Sequence, residues 1–356
     1  PRPRPPAPAD GHCIMADIPP DIFPDNAARR HQVPVEPPVT ETEDGTPRRV
    51  GVEIEFAGLD VPTAANLVRD QFGGDVSREG PHRLIVGETE FGDFVIELDA
   101  QAVHKDAAAE EGADKTLLPE ELDSAAREAL GKAVTGIVPV EIVTPPMPWS
   151  DLDRLVAVAE ALRRAGAKGT DDSLLYAFGL HLNPELPATD AGTILRHLKA
   201  YVILADWLRE RVAIDLTRRL MPHADPFPRD YVLLLLDPEY APDLNRLIAD
   251  YLDHNPTRNR ELDMLPLFRH LDEDAVITRL ESNLIKARPT FHYRLPDCAL
   301  GDPSWSPVVE WNRWIRVEQL AADRDRLAQL GAALRDNLRR PAAERWLDEL
   351  QSWLQG

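Results

Sequence analysis

Residues 48–57 read RRVGVEIEFA, and their side chains alternate between apolar and polar types. In an extended chain successive side chains point to opposite sides, so the three apolar residues at positions 52, 54 and 56 share one side. Glu53 and Glu55 share the other side with Gly51, and strand geometry places their Cβ atoms about 6 to 7 Å apart. The stretch therefore predicts a β-strand that packs one face on a core and presents a pair of carboxylates on the other.

The same kind of alternation predicts five further strands, at residues 82–86, 93–98, 138–143, 176–183 and 290–295. Helical spacing of apolar residues, with acids or serine at the start, predicts helices between and after these strands. The predicted helices are 150–165, 190–220, 230–236, 243–253, 272–285, 309–337 and 342–354. This mixture of strands and helices predicts an α+β domain rather than a helical bundle.

Proline usage divides the chain into three parts. Residues 1–48 contain 12 of the 33 prolines and no periodic apolar pattern, which predicts a disordered Pro-rich leader. Residues 49–340 are the predicted catalytic domain, with a helical insert at about 190–285 that several prolines punctuate. Residues 341–356 are predicted to form a C-terminal helix.

The chain carries 61 Asp and Glu residues against 40 Lys and Arg residues, a formal net charge of −21 over 356 residues. Nucleic acids and anionic membrane surfaces are bound through dense positive charge, so this balance argues against both as partners. No apolar run in the sequence reaches the roughly 18 residues that a membrane span requires. Cys13 and Cys298 lie far apart in sequence and indicate neither a disulfide framework nor a cysteine zinc site. We therefore expect a cytoplasmic protein.

Metal-competent residue types recur on the second face of the predicted strands. The residues are Glu53, Glu55, Glu97, Asp99, Glu141, His181, Asn183 and His292, and Arg294 shares the face with them. One interpretation is the solvent side of a half-exposed sheet, which commonly carries charge. The recurrence favours a ligand cluster instead, because acids held together without a cation repel one another. A carboxylate-rich set without cysteine suits Mg²⁺ or Mn²⁺ better than zinc.

Basic residues surround the start and middle of the last predicted strand, at Lys286, Arg288 and Arg294. Guanidinium and ammonium groups opposite a metal–carboxylate cluster suit a polyphosphate. The sequence has no Walker glycine loop and no Gly-x-Gly-x-x-Gly turn, so a nucleotide would be bound through metal and arginine rather than by a P-loop. The alternative that the residues leave open is ion pairing of these arginines with the surplus of acids.

Four motifs follow one another in an order that resembles a known family. They are GVEIEF at 51–56, VEIVTPP at 140–146, FGLHLN at 178–183 and RPTFHYRLPD at 288–297. Together they resemble the amidoligases of the carboxylate–amine ligase superfamily, which includes glutamine synthetase and glutamate–cysteine ligase. The resemblance covers most of residues 49–330. It implies a glutamine synthetase-like catalytic fold, a curved and mainly antiparallel sheet with helices on its convex face, and it implies ATP and divalent ions, Mg²⁺ or Mn²⁺, on the concave face.

The resemblance also implies roles for individual residues. The expected metal ligands are Glu53, Glu55, Glu141, His181 and, less closely matched, Glu97 and Asp99. The expected ATP-binding residues are His181, Asn183 and Arg288, to which the basic pattern adds Lys286. The expected catalytic residues are Glu53, Glu55, Arg288 and Arg294. His292 departs from the family pattern, because glutamine synthetase has a metal-binding glutamate at this place; either the histidine binds metal instead, or one ion site is altered.

The predicted activity is ATP-dependent amide bond formation between a carboxylate and an amine through an acyl phosphate. The polar loop at 254–260 and the following Glu261 and Asp263 either shape the amine or acyl pocket or form a solvated connector. Two other classes stay open: a metal-dependent hydrolase of an amide or phosphoester, and a non-catalytic binding protein on the same fold. The sequence specifies no interface between copies of the chain.

Overall fold

The computed structural model describes residues 32–98, 138–170, 178–212, 224–280 and 285–339. Seven strands in these residues form one open antiparallel sheet: β1 (Arg49–Phe56), β2 (Asp75–Gly80), β3 (Arg83–Thr89), β4 (Gly92–Leu98), β5 (Val140–Val143), β6 (Met147–Pro148) and β7 (Leu180–Pro184). The strands run in the order β2-β3-β4-β5-β1, and β1 also pairs with β6 and β7. Ile54 of β1 lies opposite both Ile142 of β5 and Leu180 of β7, so β1 lies between these two strands.

The helices in the same residues are α1 (Val61–Phe72), α2 (Arg154–Ala165), α3 (Ala191–Val212), α4 (Arg229–Leu235), α5 (Leu244–His254), α6 (Leu265–Leu271), α7 (Glu273–Arg279), α8 (Pro307–Ala322) and α9 (Arg324–Leu338). The predicted α+β class is therefore confirmed. No helix in the described ranges combines the length and the apolar character that crossing a membrane requires.

Helices cover one face of the sheet. The apolar side of β1 is fully buried at Val52, Ile54 and Phe56. At the β7 end, the rings of Phe291 and Tyr293 each lie 5.3 Å from the ring of Trp314 in α8. The acidic residues of β1 consequently point to the opposite face, as the alternation predicts.

The predicted strand at 290–295 is corrected, because this segment makes isolated bridges and not a regular ladder. Tyr293 exchanges two backbone hydrogen bonds of 2.9 Å with Leu182 of β7. The next amide, that of Arg294, turns away from β7 and donates to the carbonyl oxygen of Glu261 at 2.8 Å. Prolines at 289 and 296 supply no N–H group at either end, so pairing is interrupted. The segment still alternates, and it extends the sheet beyond β7.

Other differences from the predictions have local causes. The predicted helix at 309–337 is two helices, because the Asp323 side chain caps α9 by accepting from the amide of Arg326 at 2.9 Å. Strand β2 was not predicted, since its residues are nearly all exposed and show no apolar alternation. Helices α1 and α6 were not predicted either. The predicted helix at 272–285 is shorter than expected, because α7 ends at Arg279 and the backbone of Leu280 is extended. Three other predictions lie outside the described residues: the helix at 342–354, residue Asp99 and the end of the helix at 190–220.

Residues 32–48, part of the predicted leader, pack against α8. The amide of Val35 donates to Oδ1 of Asn312 at 2.8 Å, and the indole of Trp311 donates to the carbonyl of Val35 at 2.9 Å. Arg48 forms a buried ion pair with Glu318, with Nη2 and Oε1 2.7 Å apart. Ordered packing therefore begins before Arg49, the residue at which the sequence predicts the domain to start.

Candidate metal and phosphate site

The register of the sheet collects the predicted acids and histidines on one face. Glu53 of β1 lies opposite His181 of β7, and Glu55 lies opposite Glu141 of β5. Glu141 in turn lies opposite Glu97 of β4. Residues directly opposite one another project to the same face, so five side chains from four strands form one continuous polar surface.

Glu53 is the centre of the first group of contacts. Its Oε2 lies 3.0 Å from Nδ1 of His181, and its Oε1 accepts from Nδ2 of Asn183 and Nη1 of Arg288, each at 2.9 Å. Glu53 is only 8 % exposed. We call Glu53, His181, Asn183, Arg288 and His292 the Glu53 cluster. Its members come from β1, β7 and the 285–298 segment, which are far apart in sequence.

The charge balance of the Glu53 cluster keeps this carboxyl ionised. Burial by itself raises the pKa of Glu53, but the hydrogen bond with His181 and the positive charge of Arg288 oppose it. The result is a pKa well below the usual 4.5. A buried carboxylate that stays charged is a suitable ligand for a divalent cation.

His292 lies beside Glu53 and extends the cluster from the irregular segment next to β7. Its Nε2 is 3.9 Å from Oε2 of Glu53, and its ring packs edge-to-face on the ring of His181 with centroids 5.3 Å apart. Burial is the largest cause that lowers the pKa of His292 to about 4, so the imidazole is neutral at pH 7. A neutral imidazole is the form that binds metal ions.

A second group of three residues lies next to the Glu53 cluster. Glu55, Glu141 and His181 each offer one ligand atom, and these atoms lie within 4.8 Å of one another. Nε2 of His181 is 3.7 Å from Oε1 of Glu55, while the other oxygen of Glu55 accepts from the amide of Gly179 at 2.7 Å. We call these three residues the Glu55 cluster. The two ring nitrogens of His181 thus face one cluster each.

The donor atoms fit a divalent cation in the Glu53 cluster as well. Ligand atoms of Glu53, His181 and His292 also lie within 4.8 Å of one another. Both ring nitrogens of His292 and Oδ1 of Asn183 are buried without a hydrogen-bond partner among the described residues. Buried polar atoms without a partner are costly unless something binds them. Nε2 of His292, which lies on the Glu53 side, and Oδ1 of Asn183 therefore mark a place for an ion or its water ligands.

The remaining predicted site residues lie in different surroundings. Arg288 retains 30 % side-chain exposure beside Glu53, whereas Arg294 is buried and donates to the carbonyl of Arg258. Lys286 is exposed. Glu97 forms an ion pair with Arg83 across β3 and β4, so the guanidinium of Arg83 neutralises this carboxylate. The structure therefore brings Arg288 to the clusters and gives Glu97 another partner.

A buried network that the sequence did not reveal supports this face. Glu261 is 2 % exposed and accepts from Tyr201 Oη at 2.9 Å and from Nε of Arg209 at 2.5 Å. Its carbonyl receives the amide of Arg294, as described above. No spacing rule connects α3 with a residue more than 50 positions later, so only the fold reveals this network.

The chain belongs to the family described as putative amidoligase enzymes, whose sequence pattern matches residues 46–316. The match includes every residue of the two clusters, and it confirms the resemblance that the four motifs indicate. Neither a curated protein nor a solved structure matched the chain.

Proposed function

We propose that this protein is an ATP-dependent carboxylate–amine ligase that forms an amide bond through an acyl phosphate, on a curved sheet like that of glutamine synthetase. The observation that carries the proposal is the pair of ligand clusters that share His181, with the part-exposed guanidinium of Arg288 at their edge. Membership of the amidoligase family supports amide formation as the reaction class.

The residues that would hold divalent ions are Glu53, Glu55, Glu141, His181 and His292. Bound Mg²⁺ or Mn²⁺ would neutralise negative charge on the phosphoryl group during its transfer. The protein's own part is to fix the positions of these ligands on paired strands, where the backbone register leaves little freedom. His181 is held by Glu53 on one side and faces Glu55 on the other, so its ring orientation is determined by both clusters.

The proposed reaction has two steps. A substrate carboxylate attacks the γ-phosphorus of ATP, the bond from that phosphorus to the bridging oxygen breaks, and ADP leaves. The amine then attacks the acyl carbon, inorganic phosphate leaves with the electron pair, and the proton of the amine passes to a carboxylate beside it. Arg288 would contact phosphate oxygens, because its side chain is 30 % exposed and, among the described residues, its guanidinium is hydrogen-bonded only through Nη1, to Glu53.

The proposal is tested by the release of ADP from purified protein. We expect release that requires Mg²⁺ or Mn²⁺ and rises only when a carboxylate and an amine are both present, for example from a panel of amino acids with ammonium. A metal-dependent hydrolase would instead release an amine or phosphate without ATP. A non-catalytic binding protein would release nothing. Absence of ADP release together with absence of MgATP binding in calorimetry would contradict the ligase proposal.

Replacing Arg288 by Ala is expected to lower kcat/KM for ATP by about 10²–10³-fold, because one donor to the transferring phosphoryl group is lost. Initial rates of ADP release against ATP concentration measure this change. Arg164→Ala is the matched control, since Arg164 is 71 % exposed on α2 and its loss removes the same charge and volume. Equal kinetics for Arg288→Ala and the control would exclude a role for Arg288 in phosphate binding.

A further inference from the structure

Two buried polar side chains face each other behind the Glu53 cluster. Asp263 is 1 % exposed and His292 is 4 % exposed. Oδ2 of Asp263 lies 3.6 Å from Nδ1 of His292. Neither atom has a hydrogen-bond partner elsewhere among the described residues. A buried carboxylate oxygen and a buried ring nitrogen that lie this close, and have no other partner among the described residues, indicate that the two side chains act as a pair.

The orientation of Asp263 is fixed by its backbone and by its other oxygen. Oδ1 accepts from the amide of Leu265 at 3.0 Å. The amide of Asp263 donates to the carbonyl of His292 at 2.9 Å, which ties the two residues together in the irregular extension of the sheet. The next amide, that of Met264, donates to Tyr251 Oη at 3.1 Å. Oδ2 is therefore the oxygen that remains for His292.

We propose that Asp263 is a positioning residue that holds His292 as its Nδ1–H tautomer and so presents the lone pair of Nε2 to a divalent cation beside Glu53. In a neutral imidazole only one nitrogen carries a proton, and a carboxylate partner selects the nitrogen that faces it. Metal-binding histidines commonly donate their other N–H to a carboxylate in this way. The identity of the ion rests on the proposed function, whereas the tautomer does not.

A histidine in place of a carboxylate changes the charge that the Glu53 cluster offers to an ion. A glutamate carries its own negative charge to the ion, but a neutral histidine does not. Asp263 supplies a negative charge on this side of the cluster without contacting the ion. Its carboxylate lies behind the imidazole and makes Nε2 of His292 more basic. His292 then has a carboxylate on each side, because Glu53 faces its Nε2 and Asp263 faces its Nδ1.

The tautomer is measured directly in the wild-type protein by ¹⁵N NMR of labelled histidine at pH 7, without metal or ATP. The chain has 10 histidines, and the signals of His292 are identified by their loss in His292→Gln. We expect a protonated Nδ1 and an unprotonated Nε2. A protonated Nε2 would overturn the proposal. Because the tautomer is measured in the wild-type protein, the result does not depend on whether a variant of Asp263 folds.

The Asp263→Asn variant tests the consequence for metal binding. The amide of Leu265 keeps an oxygen at the Oδ1 position, so the new NH₂ group takes the Oδ2 position and faces Nδ1 of His292. It then donates to Nδ1, and the ring proton moves to Nε2, where it blocks metal binding. We expect Mn²⁺ affinity, measured by electron paramagnetic resonance without ATP, to fall about 10–100-fold. Asp263→Ala, which cannot donate, is expected to lose less.

The matched control is Asp253→Asn, because Asp253 is 60 % exposed in α5 and loses the same charge. Unchanged Mn²⁺ affinity in a folded Asp263→Asn variant would overturn the proposal, as would equal losses in Asp263→Asn and the control. A purely structural role for Asp263 would lower the unfolding midpoint without changing the His292 tautomer. If the protein binds Mn²⁺ as expected but releases no ADP with any substrate, the ligase proposal fails while the proposal for Asp263 stands.

Discussion

The Glu53→Gln variant is expected to lose ADP release by about 10²–10³-fold and to bind Mn²⁺ more weakly than the wild type. Each oxygen of Glu53 faces a donor: Oε2 faces Nδ1 of His181, and Oε1 accepts from Asn183 and Arg288. In one orientation the NH₂ group of glutamine meets the N–H donors of Asn183 and Arg288. In the other it donates to Nδ1 of His181 and so moves the ring proton to Nε2, the nitrogen that faces Glu55. The variant also leaves Arg288 without the carboxylate that balances its charge.

Three measurements examine this expectation. Initial rates give the loss of ADP release, paramagnetic resonance gives Mn²⁺ affinity, and thermal unfolding checks that the variant folds. Glu160→Gln is the control, because Glu160 is 47 % exposed on α2 and its ion pair with Arg164, at 3.9 Å, lies on the surface. If Glu53→Gln folds and matches the control in rate and in Mn²⁺ affinity, Glu53 has no role in the site.

The Arg48→Met variant is expected to lose about 3–5 kcal/mol of unfolding free energy, because it leaves the carboxylate of Glu318 buried without its partner. The side chains of Arg48 and Glu318 are 2 % and 3 % exposed. Arg48 also donates to the carbonyls of Val39 and Glu185, each at 2.7 Å, so it joins three segments. Urea unfolding followed by circular dichroism measures the loss.

Two companion variants make the result specific. Arg49→Met removes the neighbouring arginine, whose side chain is 53 % exposed and pairs with Glu185, and it is expected to cost less than about 1 kcal/mol. Adding Glu318→Gln to Arg48→Met is expected to recover part of the stability, because it removes the unpaired buried charge. In the wild type the indole of Trp314 donates to Oε1 of Glu318 at 2.8 Å, and the amide oxygen of glutamine can accept the same bond. Equal midpoints for Arg48→Met and Arg49→Met would contradict the assignment of a buried structural pair.

Much of the site follows from strand alternation alone. Glu53, Glu55, His181 and Asn183 were predicted to share one face, and the register places Glu53 opposite His181 as that prediction requires. His292 was predicted to lie on the same face, and it does so although its segment forms no regular strand. The face of each residue is predictable because side chains in a strand alternate with a period of two, so only neighbouring positions in the sequence are needed.

The partners of these residues were not predictable in the same way. Glu97 shares the face of the sheet but is paired with Arg83, because two strands meet at a register that no spacing in the sequence encodes. Asp263 and Glu261 were predicted only as members of a polar loop, yet they lie behind His292 and Arg294 through backbone bonds between distant segments. The same is true of Arg48 and Glu318, which are 270 residues apart.

The sequence by itself determined the α+β class, the family and the polar face of each strand, because these depend on residue types and on spacings of a few positions. Only the tertiary structure decided which acid faces which cation, which nitrogen of His181 faces which cluster, and which carboxylate stands behind His292. The physical reason is distance: charge pairing and hydrogen bonding act over about 3–4 Å in space. Folding alone brings residues that are far apart in the chain to that separation.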